Sequence, residues 1–428
     1  MTRTIKVDCL TRVEGEGALI IRFRDGKASE VRLRIFEPPR FFEALLRGRA
    51  REEAPDITAR ICGICPVAYQ MSACHAIEDA AGVRVTGALR ALRRLLYCGE
   101  WISSHCLHIF MLHAPDFLGY PDAIRMAQDH AGLVRRGLRM KQAGNAIMRT
   151  IGGREIHPVN VQAGGFYRVP APGELQALLP ELGWARAAAL ETVADIARFD
   201  FPDFERDYEF VALRHPQEYP FCEGRLVSSH GLDSDIHDFD DVFQEQQVAH
   251  STALHAVIRG RGAYVCGPLA RVNLNFDRLR PLAREAAERA GFRVPCRNPF
   301  RGILARALEV LQTLDEAIEI IESWTPPAEA ALELPRNPAT GYGCTEAPRG
   351  LLLHRYVLDG DGLIRDARIV PPTAQNQKSI ELDLHEIAQR LADMPHEAAV
   401  RLAEQTVRNY DPCISCATHF LRLDIERA

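Results

Sequence analysis

Arg60-Ile61-Cys62-Gly63-Ile64-Cys65-Pro66 and, far downstream, Asp411-Pro412-Cys413-Ile414-Ser415-Cys416-Ala417-Thr418-His419 are the two stretches around which the rest of the chain is read. A Cys-x-x-Cys turn directs two sulfurs at one metal, and Gly63 leaves the backbone free to curl around it. Two such turns brought together make an all-thiolate site. That donor set favours soft or borderline ions: zinc, iron–sulfur iron, copper(I) or nickel. Short zinc knuckles separate their pairs by about 12–20 residues. Here about 350 residues intervene, which excludes a knuckle. Three readings stay open on spacing alone: a long-range structural zinc site, two unrelated pairs without metal, and a redox metal centre.

Composition narrows the class. The 428 residues are 47% hydrophobic and 25% charged, the balance of a globular chain with a large buried core. No stretch of about eighteen residues is free of charge, so no membrane span is expected. The start, Met1 to Asp8, has no apolar run of the secretory kind. There are 52 basic against 57 acidic residues, net −5, and no field to attract nucleic acid. Lys supplies only Lys6, Lys27, Lys141 and Lys378; the Arg are scattered among acids and read as compositional bias. Twelve Cys are too few for a disulfide scaffold of this length.

The chain has no internal repeat. Ala18 to Phe23 and Val31 to Phe36 alternate as strands around Asp25-Gly26, a hairpin signal. Residues 66–330 read mostly as helix. Pro66 suits a first helical turn, and 175–199 and 304–324 carry apolar residues three and four apart. A second hairpin is expected from 351–358 and 363–370 around Asp359-Gly360-Asp361-Gly362. Helices are expected over about 380–393 and 395–409. The fold class is mainly α with small β-sheets near both ends (α+β). Both Cys pairs stand at helix edges.

The residues flanking the cysteines add a resemblance. Arg60-x-Cys62-Gly63-x-Cys65 and Asp411-Pro412-Cys413-x-x-Cys416-x-x-His419 resemble the two signatures of the large subunit of nickel–iron hydrogenases. Arg12-Val13-Glu14-Gly15, Arg40-Phe41-Phe42-Glu43, Leu112-His113-Ala114-Pro115-Asp116, Glu346-Ala347-Pro348-Arg349-Gly350 and Pro371-Pro372-Thr373-Ala374-Gln375-Asn376 fit that family in the same order, from residue 12 to 419. The resemblance implies the large-subunit fold with a central helical bundle. It implies one catalytic domain over 1–428, with a β-rich part at 1–60, a helical core at 61–340, and a hairpin, C-terminal helices and metal motif at 341–428.

By motif position, the resemblance implies nickel held by Cys62, Cys65, Cys413 and Cys416. Cys62 and Cys413 are then terminal, and Cys65 and Cys416 bridge to an iron carrying carbon monoxide and two cyanides. Pro348, Arg349 and Thr373 are then cofactor contacts. Arg349 has Asp116 and Asp411 as partners, and its high pKa favours positioning over formal base duty. Glu14 matches a carboxylate that passes a proton from the terminal Cys413. Glu43, His419 and a carbonyl near Gln377 resemble ligands of a magnesium (or iron) site. Gly152-Gly153-Arg154-x-x-His157-Pro158 and Gly164-Gly165 are expected against an electron-transferring partner. Most of the other cysteines are expected as small buried hydrophobes, and His105 and His108 as core or proton-network residues.

Three departures from the family pattern point to its soluble, bidirectional, NAD(P)-linked branch, including the sulfhydrogenase type. Tyr69 stands where a His is common, Glu16 replaces another His, and 371–376 lacks a Trp. The chain has no dinucleotide fingerprint and no further cysteine series for iron–sulfur clusters. The expected partners are therefore an iron–sulfur small subunit and a diaphorase carrying FAD or FMN and binding NAD(P), in the cytoplasm, with H2 as substrate. The alternatives are a hydrogen-sensing regulatory subunit and a cluster-free scaffold related to respiratory complex I. The tail Phe420–Ala428 alternates apolar and charged residues and is expected either as a strand or as a segment removed on maturation.

Overall fold

In the β-rich start of the chain, a three-stranded antiparallel sheet forms from β1 (Thr2–Val7), β2 (Gly17–Arg24) and β3 (Lys27–Ile35), in that order. The computed structural model describes residues 2–25, 27–38 and 41–419. The strands alternate as the sequence predicts: Leu19, Ile21, Phe23, Leu33 and Ile35 point inward, while Arg22 and Arg24 face solvent. Of the predicted turn, Gly26 lies outside the described residues, as does the whole tail Phe420–Ala428.

The helical core is built on α1 (Pro66–Ala81), α2 (Gly87–Cys106), α3 (Ala131–Gly152), α4 (Leu179–Ile196) and α5 (Gly302–Glu322). α2 and α3 cross closely. A β-carbon on Gly99 would stand 2.9 Å from the Gly144 carbonyl, and one on Gly144 would stand 2.6 Å from that of Gly99. α2 runs directly into a π-helical segment, Leu107–His113, and then a short helix, Ala114–Leu118. Such wide turns free a carbonyl from the ladder, and here the Leu112 carbonyl accepts from Arg12 Nη1 at 2.8 Å.

The stretch read as mostly helical is interrupted. Between α4 and α5 the chain forms two small antiparallel sheets, Val211–Arg214 with Arg225–Ser228 and Asp233–Ser234, and Phe243–Gln246 with His255–Ile258. These strands are too short to leave a periodic signal.

Behind the core, β4 (Ala339–Ala347), β5 (Gly350–Leu358) and β6 (Ile364–Val370) make a second three-stranded antiparallel sheet. Only β5 and β6 were expected. β4 reads Ala-Thr-Gly-Tyr-Gly, and its glycines are there because it lies on α1: a β-carbon on Gly341 would stand 2.0 Å from the Ala76 carbonyl. Ala347 pairs with Gly350, so Pro348 and Arg349 form a two-residue hairpin tip. α6 (Pro372–Ala392) and α7 (His396–Arg408) follow, then a short helix, Ile414–Ala417. α6 starts earlier than predicted because Pro371 and Pro372 open it. Among the described residues no helix is long and apolar enough to cross a membrane.

Candidate metal centre

The two Cys-x-x-Cys turns meet. The four sulfurs of Cys62, Cys65, Cys413 and Cys416 lie within 4.8 Å of one another. Cys62 and Cys413 are 3.5 Å apart, Cys65 and Cys416 3.9 Å. None of the four is more than 7% exposed, and all are free thiols. The first turn curls as Gly63 permits, so that the N–H groups of Ile64 and Cys65 both reach Cys62 Sγ at 3.3 Å. Cys65 caps α1.

Four thiols cannot all ionise in a dry pocket. Hydrogen bonds from Cys413, Cys416 and Cys65 hold Cys62 well below the ordinary thiol range, whereas burial pushes Cys413 well above it. Only a multivalent cation stabilises all four as thiolates together. The pocket is therefore built for a soft metal, and the donor set fits nickel with iron.

Glu14 is locked against this cluster. Its Oε2 accepts from Cys413 Sγ at 3.1 Å and from the Ser415 N–H at 3.0 Å, and its carbonyl accepts from the Ile414 N–H at 2.9 Å. Thr373, in the first turn of α6, accepts the Cys413 N–H at 2.9 Å. Arg349 is 2% exposed at its hairpin tip, with Nε 3.1 Å from Asp411 Oδ2 and Nη2 donating to Oδ1 at 3.2 Å. Burial opposes its charge, but Asp411 and then the thiols outweigh burial and raise its pKa. Its Nη1 is buried without a hydrogen-bond partner. An orphaned guanidinium N–H beside four sulfurs has the character of a donor to a polar ligand of the bound metal. Pro348 contributes its carbonyl to Arg271 Nη2 at 2.9 Å, which anchors the tip from behind.

The expectation for Asp116 needs correction. Its hydrogen bonds go to Arg12 Nη2 at 2.6 Å and to Arg408 Nε and Nη2, both at 2.8 Å, rather than to Arg349. Arg408 also donates to the Thr11 carbonyl at 2.9 Å. Asp116 is thus the pin that holds the Thr11–Glu14 loop against the end of α7, and the loop carries Glu14. Asp411, with φ 50°, is the acid that faces Arg349.

Glu43 Oε2 lies 2.9 Å from His419 Nε2, and its Oε1 accepts the Ile369 N–H at 2.7 Å. Glu245 closes on the same pocket, which Glu43, Glu245, Cys416 and His419 line. Burial raises the Glu245 carboxyl against the pull of Arg368 and His419, and its Oε1 is unpartnered. Two carboxylates and an imidazole fit a divalent cation. Gln377, fully buried on α6, leaves both side-chain amide atoms without partners.

Several site residues carried no motif. Glu100, fully buried on α2, accepts the N–H groups of Val67 and Ala68 at 2.6 and 3.1 Å and so anchors the start of α1. Glu37 accepts from the Ser415 hydroxyl at 2.9 Å and from the Glu16 N–H at 2.7 Å. Tyr69 is buried with its hydroxyl unpartnered, and its ring is 5.7 Å from that of His354. Burial holds His354 neutral, at about 3, so an imidazole stands beside the phenol that replaces the usual one. His105 and His108 are core network residues: His105 Nε2 meets Glu309 at 2.9 Å, and His108 Nδ1 accepts from Arg306 at 3.0 Å. Seven of the eight remaining cysteines are buried, as expected for most of them; Cys9 is exposed.

The profile described as nickel-dependent hydrogenase matches residues 40–137 and 288–419. Sulfhydrogenase 2 subunit alpha of Pyrococcus furiosus is 34% identical over 98% of this chain and 100% of its own length. The NAD-reducing hydrogenase HoxS subunit beta of Cupriavidus necator is 28% identical over 98% of this chain and 96% of its own. The crystal structure of an NAD+-reducing [NiFe]-hydrogenase in the H2-reduced state superposes with a TM-score of 0.90 at 28% identity, covering 97% of this chain and 99% of that one.

Proposed function

We propose a reaction scheme for this chain from a premise these matches establish: it belongs to the nickel-dependent hydrogenase family. It is the catalytic subunit of a nickel–iron hydrogenase, and the readings of structural zinc and of a cluster-free scaffold fall away. In the scheme, Cys62, Cys65, Cys413 and Cys416 hold nickel and an iron bearing carbon monoxide and two cyanides. When bound, that centre supplies the site at which dihydrogen is split heterolytically and re-formed. The single observation that carries the scheme is the meeting of four buried thiols, with Glu14 on Cys413.

The residues divide the work. Burial of the four sulfurs excludes bulk water, which would otherwise compete for the metal and screen local charge. Glu14 takes a proton at Cys413 Sγ, from which its Oε2 accepts a hydrogen bond at 3.1 Å. Glu14 meets Ser415 through the backbone N–H at 3.0 Å, while the Ser415 hydroxyl donates to Glu37 at 2.9 Å, so both carboxylates are tied to the turn after Cys413. Arg349 keeps its charge and positions the metal's small ligands through its unpartnered N–H. Glu43, Glu245 and His419, which line one pocket with Cys416, would hold magnesium or iron, with a carbonyl near Gln377 as the further ligand the resemblance implies.

Electrons leave through a partner. The segment 152–167 supports this reading: His157 Nδ1 lies 2.8 Å from the Ala59 carbonyl beside the first Cys turn, and Ile156, Val159 and Tyr167 stand 55%, 48% and 62% exposed. Exposed apolar side chains, with Ile156 beside Gly63 of the first Cys turn, suit the docking of an iron–sulfur small subunit. The resemblance to NAD-reducing relatives supports a flavin-bearing, NAD(P)-binding diaphorase beyond it and a cytoplasmic setting. The test is reconstitution: the chain with an iron–sulfur small subunit and diaphorase should reduce NAD+ or NADP+ with H2. Turnover only with artificial dyes would reject the nucleotide link.

A further inference from the structure

Away from the thiol centre, His250, His255 and Glu381 each bring one ring nitrogen or carboxylate oxygen to within 4.8 Å of the others. The three come from separate places: the loop after strand Phe243–Gln246, the first residue of strand His255–Ile258, and the middle of α6. His250 Nε2 and Glu381 Oε1 are 2.7 Å apart, and the same oxygen accepts the Leu33 N–H of β3 at 2.8 Å. His255 is 3% exposed, and its Nε2 has no hydrogen-bond partner. Burial, with the charges of His250 and Lys378, lowers His255 to about 4, so the ring is neutral and able to ligate.

We propose that His250, His255 and Glu381 form a further metal site, for a borderline divalent cation of the zinc type, separate from the thiol centre. Two imidazoles and a carboxylate, with water as the fourth ligand, are a zinc donor set. Hydrogen bonding leaves His255 Nε2 unpaired beside the other two groups, and a cation bound by all three engages that ring. Lys378 opposes a cation here, and the Glu381 carboxylate offsets it. His250 and Glu381 are only partly buried, so the ion enters from solution after folding.

The site's place in the fold indicates its use. Between the two histidines, Thr252 accepts the His419 N–H at 3.0 Å through its carbonyl and donates from Oγ1 to the Glu37 carbonyl at 2.9 Å. Ala253 pairs with Thr418. A cation at His250, His255 and Glu381 therefore staples to β3 and α6 the loop that holds the chain just after Cys416. The proposal does not rest on the hydrogenase reading.

The test is a zinc titration, by calorimetry, of the nickel- and iron-loaded complex after mild chelation, for wild type, His255→Ala and Glu381→Gln. Any zinc taken by the thiol or Glu43–His419 sites is common to all three proteins and cancels. Wild type should bind one equivalent that His255→Ala lacks, and Glu381→Gln should bind it about tenfold or more weakly. The amide oxygen introduced by Glu381→Gln would still accept the Leu33 N–H, so this variant decides the matter if His255→Ala does not fold. Equal stoichiometry and affinity in all three, or zinc uptake in none, would overturn the proposal.

Discussion

Replacing Glu14 by Gln separates what this side chain does for the fold from what it does for protons. Glu14 Oε2 takes the Cys413 Sγ and Ser415 N–H contacts, at 3.1 and 3.0 Å. An amide oxygen keeps both acceptor positions, so the cost is the difference between charged and neutral hydrogen bonds, about 1 kcal/mol. At about 2.1 cal/mol/K per residue, a chain of 428 residues then loses only about 1 °C in Tm. The amide cannot take a proton from sulfur. A positioned acid–base group is worth roughly 10²–10⁴ in rate, or about 2.7–5.4 kcal/mol at about 1.36 kcal/mol per tenfold. The assay is exchange between H2 and D2O by the metal-loaded complex, with nickel and iron measured on the same sample. Exchange should fall about a hundredfold or more at unchanged metal content, and Glu14→Asp, which keeps a carboxylate, should lie between. Exchange at the wild-type rate in Glu14→Gln with full metal content would refute the reasoning.

Cys413→Ser should lose nickel and all hydrogen turnover with little change in thermal unfolding, since no disulfide is broken; metal analysis checks it, and a nickel-replete, active variant would contradict the ligand assignment. Gly343→Ala puts a β-carbon 2.1 Å from the Ser72 carbonyl and 2.7 Å from the Ala76 nitrogen, between two backbones that cannot yield. It should cost about 1–3 kcal/mol or more, and an unchanged Tm would contradict the packing of β4 on α1. Glu309 has an acid signature. Burial raises its carboxyl, but Arg271, through two hydrogen bonds of 2.8 Å, outweighs burial and holds it at about 2. A depressed carboxyl stabilises above its unfolded value near 4.5 and loses that stabilisation as pH falls toward 2, roughly 3 kcal/mol in all. Glu309→Gln should therefore be less stable near neutrality, with a shallower fall in urea midpoint from pH 5 to 3; parallel profiles would contradict this.

How much the sequence disclosed follows from which forces leave a local trace. The hairpin of β2 and β3 was legible because one face is buried and one wet, so Leu19, Ile21 and Phe23 alternate with Arg22 and Arg24. β4 was not, because the residues that let it lie on α1 are glycines, which read as breakers. The strands between α4 and α5 are two to four residues long, shorter than any period that could reveal them. In the site, the two Cys-x-x-Cys pairs were legible as possible metal ligands from residue type and spacing, whereas Glu14 and the nickel reading came only through the resemblance to the family. Asp116 was found but given the wrong partner: a motif places a residue in a site without saying that it will meet Arg12 and Arg408 there rather than Arg349. Glu37, Glu100 and Glu245 had no local signal. Their roles come from segments far apart in sequence, Glu37 from Ser415 and Glu100 from the first turn of α1.

The four thiols are proposed to hold nickel and an iron with carbon monoxide and cyanide ligands. This assignment is tested most directly by an infrared spectrum of the purified complex in the region where metal-bound carbon monoxide and cyanide absorb, with metal analysis of the same sample. The account predicts one carbonyl band and two cyanide bands, with nickel present. Absence of those bands from protein whose four thiols hold zinc would contradict it.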